Sequence, residues 1–425
     1  MLSEGERLTL EIEKVVYGGD GLGRWRGLAV FVPRTAPGDV ARVEIVSRKK
    51  RFARARLLAL ETAASCRTAP DCPAFQRGCG GCQWLHLEYS CQLRLKREIL
   101  AENLVHRLAN PEIVALVSLP LPMADPVHYR NKATVRLGRD ADGRPLAGFY
   151  ARASHRLVDV YGCGGSCRLQ EAGNNDFLAA LLSLPAGRRS GEKLPASVSV
   201  RSGLLAADQP VPALSSDLPA AIRRRLPSGR PPLVEPLTIS CAGLPFQVAH
   251  RSFFQANTRQ AARLVAVVNQ FLDQAAVAAG ILVDLFCGVG LFALTQAGRF
   301  RRVYGVEAAA SAIDDARRNQ EIAGAANVRW LQGRAEVEFA RLLAGGIKPD
   351  VVLLDPPRGG CQPELLRQLL APPLPWLIYV SCDPLTLARD LGRLTAGGYR
   401  VAAVQPVDMF PHTYHLETVV LLAGR

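Results

Sequence analysis

The stretch LIYVSCDP, residues 377–384, reads as an apolar strand that stops at Ser381-Cys382-Asp383-Pro384. Most free cysteines behave as small buried hydrophobes. Cys382 instead stands at the carboxyl tip of a strand, just ahead of a helix that Pro384 would open. The partly positive end of such a helix favours the thiolate, and a thiolate is a covalent nucleophile. A second reactive group follows in Thr413-Tyr414-His415-Leu416-Glu417-Thr418, where the last strand begins. Glu417 is placed to act as a general base at the same rim. His415 is the other candidate, although a single histidine at a loop–strand junction more often has a structural role.

The residues that close the preceding strands point to a nucleoside-bearing cofactor. Asp284-Leu285-Phe286-Cys287-Gly288-Val289-Gly290 follows one strand, and its glycines let the backbone approach a ligand at a helix N-terminus. The next strand ends in Glu307, whose carboxylate can accept both ribose hydroxyls of an adenosine. This pattern fits NAD or S-adenosylmethionine. Ala293 stands where a dinucleotide fingerprint has its third glycine, which tilts the reading towards S-adenosylmethionine. A later strand ends in Leu354-Asp355-Pro356-Pro357-Arg358-Gly359-Gly360, a loop made rigid by two prolines. It resembles the acidic-Pro-Pro loop with which nucleobase methyltransferases grip a flipped base. Methylation at carbon 5 of a pyrimidine uses all of these parts. That carbon is a poor nucleophile until a thiolate adds to carbon 6 and leaves an enolate. After methyl transfer a base must remove the carbon 5 proton before the thiol can leave.

A third group of reactive residues lies far upstream. Cys72, Cys79 and Cys82, in the spacing Cys-x6-Cys-Gly-Gly-Cys, offer three soft ligands, and a fourth must come from elsewhere. Four thiolates suit zinc or an iron–sulfur cluster, and the spacing does not choose between them. The cysteines are expected reduced, metal-bound or catalytic, because MLSEGERLTL does not read as a secretory signal. Cys91, Cys241, Cys287 and Cys361 are most simply non-ligands.

These residues need elements to hold them. From residue 281 the segments ILVDLF, RVYGVE, VRWLQG, DVVLLD and WLIYVS alternate with helical stretches, the rhythm of a parallel, doubly wound α/β sheet. VAAVQPVDMF and ETVVLLAG follow with no helix between them and predict a closing antiparallel hairpin. Residues 1–62 alternate in period two between glycine-rich turns such as YGGDGLGR, which predicts a small oligonucleotide-binding-type β-barrel. Its last strand region carries Arg48, Lys49, Lys50, Arg51, Arg54 and Arg56, with Trp25 and Phe52 as stacking surfaces for a nucleic acid. Residues 63–255 form a central α+β region that holds the cysteine-rich loop. Within it, residues 92–108 predict an amphipathic helix that packs on the catalytic domain, and Asp140-Ala141-Asp142-Gly143 marks a hairpin. Residues 184–236 read as variable strands and loops. Residues 256–425 form the catalytic domain. The 425-residue chain has a net charge of +14, the footprint of a nucleic-acid binder, and no long uninterrupted apolar run to span a membrane.

Taken in order along the chain, YGGDGLGR, CGGCQWLHL, Tyr129-Arg130-Asn131-Lys132-Ala133, Phe253-Phe254-Gln255-Ala256-Asn257, DLFCGVG, GVE, LDPPRGG, VSCDP and HLETVVLL resemble the RNA 5-methyluridine methyltransferase family. The likeness is to its iron–sulfur-containing branch, which acts on bacterial 23S ribosomal RNA and carries an amino-terminal TRAM barrel. The resemblance implies a Rossmann-like catalytic domain with Cys382 as nucleophile and Glu417 as general base. It implies that Gln255, Phe286, Gly288, Glu307 and Asp355 line the pocket for S-adenosylmethionine and the target base. It implies a structural [4Fe-4S] cluster on Cys72, Cys79, Cys82 and Cys163, with zinc as the alternative metal. The family usually has five residues between the first two ligands and this chain has six, so Cys66 and Cys167 are possible substitutes. Leu291 stands where the family often has Asn, and Arg334 where it has a small polar residue. Arg130, Lys132, Lys49, Lys50 and Arg51 are expected to meet RNA. A monomeric cytoplasmic enzyme on a 23S uridine is the expectation; a transfer RNA substrate, or a non-catalytic RNA-binding assembly factor, is the alternative.

Overall fold

The computed structural model describes residues 2–162, 164–184, 195–206, 212–224, 226, 231–277, 279–371 and 374–424. The amino-terminal strands β1 (Arg7–Val15), β2 (Asp20–Trp25), β3 (Leu28–Pro33), β4 (Val40–Arg48) and β5 (Phe52–Thr62) close into a barrel in the order β1-β2-β3-β5-β4. Period-two alternation turns Leu8, Leu10, Ile12, Val30, Val32, Val43, Ile45, Ala53 and Ala55 into its core. Closure leaves no unpaired edge. The basic residues are spread differently from a single strand. Arg48 ends β4, Lys49, Lys50 and Arg51 form the exposed turn, and Arg54 and Arg56 project from β5.

The central sheet is built from β6 (Lys132–Arg139), β7 (Pro145–Tyr150), β8 (Leu157–Asp159), β9 (Ser197–Leu204), β10 (Pro212–Ser216), β11 (Leu237–Cys241) and β12 (Leu244–Val248). The strand order is β12-β11-β9-β6-β7-β8, with β10 paired to β9. The β6–β7 hairpin forms where Asp140 stands, because its Oδ1 accepts from the backbone N–H groups of Asp142 and Arg144 at 3.0 and 2.8 Å. The helix Ala172–Leu182 covers this sheet, placing Phe177, Leu178 and Leu181 against Val135, Val198 and Val200.

The catalytic sheet follows: β13 (Ile281–Leu285), β14 (Arg302–Glu307), β15 (Val328–Gln332), β16 (Val351–Leu354), β17 (Trp376–Ser381), β18 (Arg400–Val407) and β19 (Glu417–Ala423). Its order is β15-β14-β13-β16-β17-β19-β18, with the first five strands parallel. The closing hairpin is present, and β19 is its inner strand, antiparallel to both β17 and β18. The sheet is buried on both faces. Phe271, Leu264 and Phe292 pack on one face, and Phe339, Leu365, Leu387 and Leu391 on the other. The second face also receives Leu100 and Leu104 from the helix Tyr89–Leu108, which precedes the central sheet in sequence. That helix is pinned by Lys96, a fully buried ammonium ion-paired with Asp408 and donating to the Phe410 carbonyl at 3.1 Å. Among the described residues no helix is long and apolar enough to cross a membrane.

Candidate active site

Strand order reverses at β13, so the carboxyl ends of β13, β14, β16 and β17 open onto one crevice. After β13 the chain turns through Phe286, at φ 67°, into Gly288 and Gly290. A non-glycine residue in the left-handed region is strained backbone held by its surroundings. Gly305 on β14 has a steric reason, since a Cβ there would sit 2.3 Å from the Trp330 ring. Glu307 is held by two backbone donors: Oε2 accepts from Gly288 N–H at 3.1 Å and Oε1 from Ala309 N–H at 2.8 Å. Beside it lies a cavity of about 180 Å³ lined by Phe286, Glu307, Ala308, Gly333, Arg334 and Gln362 among others. Arg334 stands at its rim, ion-paired with Glu336. Leu291 is buried in the core and points away from this role. Asp284 is also buried. Its Oδ2 accepts from Ala293 N–H at 2.9 Å, while Oδ1 has no protein partner.

β17 and β19 carry the two candidate catalytic groups. Their antiparallel register pairs Val380 with Val419 and Ser381 with Thr418. Cys382 follows β17 directly and lies near Glu417, the first residue of β19. Burial raises the Glu417 carboxyl well above its ordinary range, reinforced by the Asp355 charge and opposed by Arg358. Burial also pushes the Cys382 thiol up to about 12, with further repulsion from Glu417 and Asp355. Asp355 is raised to about 7 by burial and by Glu307.

The expected thiolate is therefore not favoured in the free protein. Burial is the main cause. In addition Asp383 caps the helix Pro384–Ala396, its Oδ1 accepting from Leu385 and Thr386 N–H at 2.9 and 3.0 Å. The positive helix end that would have served the thiol is already neutralised. His415 is held neutral, its pKa lowered to about 4 by burial and then by Arg358.

The remaining predicted residues fall in several places. Gln255 is buried in the segment before the helix Thr258–Gln274, and its carbonyl accepts from Asn131 Nδ2 at 3.0 Å. Its neighbour Phe253 is 68 % exposed. Lys49, Lys50 and Arg51 face solvent on the barrel turn. Arg130 does not: its guanidinium lies 5.4 Å from the Phe410 ring and lines a cavity beside the cysteines. Lys132 donates to the His250 carbonyl at 3.1 Å, which ties it into the central domain. Both make packing contacts within the protein and are only partly exposed.

Cys72, Cys79, Cys82 and Cys167 line one largely apolar cavity of about 80 Å³. Burial and mutual repulsion raise the Cys82 and Cys167 thiols, and Cys79 is pushed up to about 11. Four thiols around one cavity, of which Cys79, Cys82 and Cys167 resist ionisation unless a cation joins them, are a donor set suited to a metal centre. Among the described residues no three His, Cys, Asp or Glu side chains converge on a point that would hold a single ion. Cys163 lies outside the described residues, and Cys167 is the fourth cysteine of the cavity. Cys66 sits beside Cys91, away from it.

Sequence reasoning missed Tyr17, whose hydroxyl donates to Asp383 Oδ2 at 2.7 Å. It also left Asp383 without a role, although Asp followed by Pro is a helix-start signature.

A doubly wound sheet with a glycine turn, an acidic tip on its second strand and a Cys–Glu pair at its rim defines a nucleobase methyltransferase of the S-adenosylmethionine-dependent class. The profile of the tRNA (Uracil-5-)-methyltransferase family matches residues 221–425, and that of the TRAM domain matches residues 2–58. An uncharacterized RNA methyltransferase of Thermosynechococcus vestitus is 34% identical over 99% of this chain and 98% of its own length. One of Listeria monocytogenes is 32% identical over 99% of this chain and 98% of its own. The crystal structure of the Pyrococcus abyssi tRNA (uracil-54, C5)-methyltransferase with S-adenosyl-L-homocysteine shares the fold. Its TM-score is 0.73 at 24% identity, covering 98% of this chain and 100% of that one. The chain belongs to the RNA (uracil-5-)-methyltransferase family and is an S-adenosylmethionine-dependent enzyme with an amino-terminal TRAM domain.

Proposed function

We propose that the enzyme methylates carbon 5 of a uridine in 23S ribosomal RNA through a covalent adduct on Cys382. The observation that carries this reading is that Cys382, directly after β17, lies near Glu417 at the start of the paired strand β19. The substrate uridine is flipped into the crevice, where its carbon 6 meets the Cys382 sulfur. The Cys382 thiol gives up its proton to solvent, its sulfur adds to carbon 6, and the electron pair moves to give a nucleophilic carbon 5. S-adenosylmethionine supplies the electrophilic methyl group. Gln255, Phe286, Gly288, Glu307 and Asp355 line its site and that of the base. The Glu417 carboxylate then takes the carbon 5 proton, the carbon–sulfur bond breaks, and 5-methyluridine is released. Arrival of a cationic methyl donor would offset the Asp355 and Glu417 repulsion that adds to burial in raising the Cys382 thiol.

Cys72, Cys79, Cys82 and Cys167 fit a [4Fe-4S] cluster, and we assign Cys167 rather than Cys163 as the fourth ligand. The observation behind the assignment is that these four cysteines line one cavity; the choice of a cluster over zinc rests on the family resemblance. The cluster would be structural, joining the cysteine loop to the segment that follows β8. Anaerobically purified protein should show a broad visible absorbance that Cys167→Ser abolishes and Cys163→Ser leaves in place; a colourless, zinc-loaded wild type would contradict the assignment.

The ribosomal substrate is favoured because the TRAM barrel and the cysteine cavity occur together with the catalytic domain. The enzyme is read as a monomer acting in the cytoplasm. Mass mapping of 5-methyluridine in 23S and transfer RNA, from cells with and without the gene, tests the substrate. Loss of the modification from 23S RNA is expected, and loss from transfer RNA alone would refute it.

A further inference from the structure

Tyr17 lies in the turn between β1 and β2 of the barrel, yet its side chain ends in the catalytic loop. Its phenol donates to Asp383 Oδ2 at 2.7 Å, while Oδ1 of the same carboxylate caps the helix Pro384–Ala396. Asp383 is tied back to Ser381: its N–H donates to Ser381 Oγ at 3.2 Å, and that hydroxyl donates to the Asp383 carbonyl at 3.1 Å. Cys382 lies between them, so its main chain is held from both sides. The Tyr17 ring also meets Tyr414 edge-on, with centroids 5.3 Å apart at 88°. Tyr414 in turn packs on His415 at 4.2 Å, just ahead of Glu417. One barrel side chain therefore touches both strand ends that carry the catalytic pair.

The turn that presents Tyr17 is itself fixed. Trp84 Nε1 donates to the Gly19 carbonyl at 3.2 Å, and Arg152 donates to the Gly18 carbonyl at 2.6 Å and ion-pairs with Asp20 at 2.8 Å. The YGGDG segment is thus a docking turn between the barrel and the rest of the enzyme. A hydrogen bond to a carboxylate is among the stronger ones in a protein, and small displacements of a reacting group cost much of its rate.

We propose that Tyr17 is a positioning residue for methyl transfer: from the barrel it holds Asp383, and through Asp383 it keeps Cys382 set against Glu417. This rests on the reading of Cys382 as nucleophile. Tyr17→Phe keeps the ring on Tyr414 and removes the hydroxyl. With uridine-containing RNA it is expected to lower kcat about tenfold while the KM values for RNA and S-adenosylmethionine stay within about twofold. In an Asp383→Ala background the same change should cost nothing further. Wild-type kcat in Tyr17→Phe, a change confined to KM, or an equal loss in both backgrounds would overturn the proposal. Cys382→Ala, assayed alongside, separates the two readings. An active Cys382→Ala enzyme refutes the nucleophile itself, whereas an inert one beside a fully active Tyr17→Phe refutes only the positioning role.

Discussion

At the scale of single residues, the crevice gathers Asp355 and Glu417, whose pKa values burial raises. Asp355 shows the consequence for stability. Its folded pKa, about 7, lies above the unfolded value of ~3.9. The folded form therefore binds the proton more tightly, and this group's contribution is present in full below ~4 and lost as pH rises through 7. The loss runs at up to ~1.4 kcal/mol per pH unit, less whatever solvent screens. Thermal melts of Asp355→Asn should match wild type at pH 4 and exceed it at pH 8; a variant less stable than wild type at pH 8 would count against the assigned shift. The same carboxyls shape ligand choice. S-adenosylmethionine carries a sulfonium charge and its demethylated product does not. Titration calorimetry should show the preference for the methyl donor over the product growing from pH 6 to pH 8, by at most about tenfold per pH unit for one linked proton. A pH-independent ratio would mean that these acids do not face the sulfonium.

At the scale of elements, the parallel strands were legible because each is a short apolar run ending in a distinctive tip: DLFCGVG, GVE, LDPP, VSCDP. The pairing of β17 with β19 was not. ETVVLLAG announces a strand, but nothing local says that it inserts between β17 and β18 and so brings Glu417 to Cys382. The helix Tyr89–Leu108 could be read from its periodicity, and its docking on the catalytic sheet rests on Leu100 and Leu104, both fully buried. Leu104→Ala should destabilise the enzyme by about 2–5 kcal/mol. The melting temperature of the variant measures this, and an unchanged value would mean that the helix is dispensable to the catalytic core. The surroundings of Arg130 were not legible: an arginine in a basic chain looks like a phosphate contact, and its neighbours, here Phe410 and the cysteine cavity, appear only in the fold. The burial of Cys382 and the capping of the following helix by Asp383 were not legible either, because both depend on how the strand ends pack.

At the scale of the whole molecule, three units surround one crevice. The barrel docks through its glycine turn, the central domain contributes Asn131 and the cysteine cavity, and the catalytic sheet supplies the reacting groups. The exposed turn of Lys49, Lys50 and Arg51 lies on the barrel, free to meet a backbone phosphate. Replacing all three by Ala should weaken RNA binding and reduce the slope of log affinity against log salt by about 2 for single-stranded RNA. A fluorescence titration across salt concentrations measures that slope, and an unaltered one would move the RNA path off the barrel. The proposed mechanism turns on a covalent step between Cys382 and a uridine, and Glu417→Gln isolates that step. Without a base to remove the carbon 5 proton, the enzyme incubated with S-adenosylmethionine and substrate RNA should accumulate a methylated protein–RNA adduct. It should survive denaturing electrophoresis, and mass spectrometry should locate it at Cys382. Absence of any adduct, or one that persists after Cys382→Ala, would contradict the account.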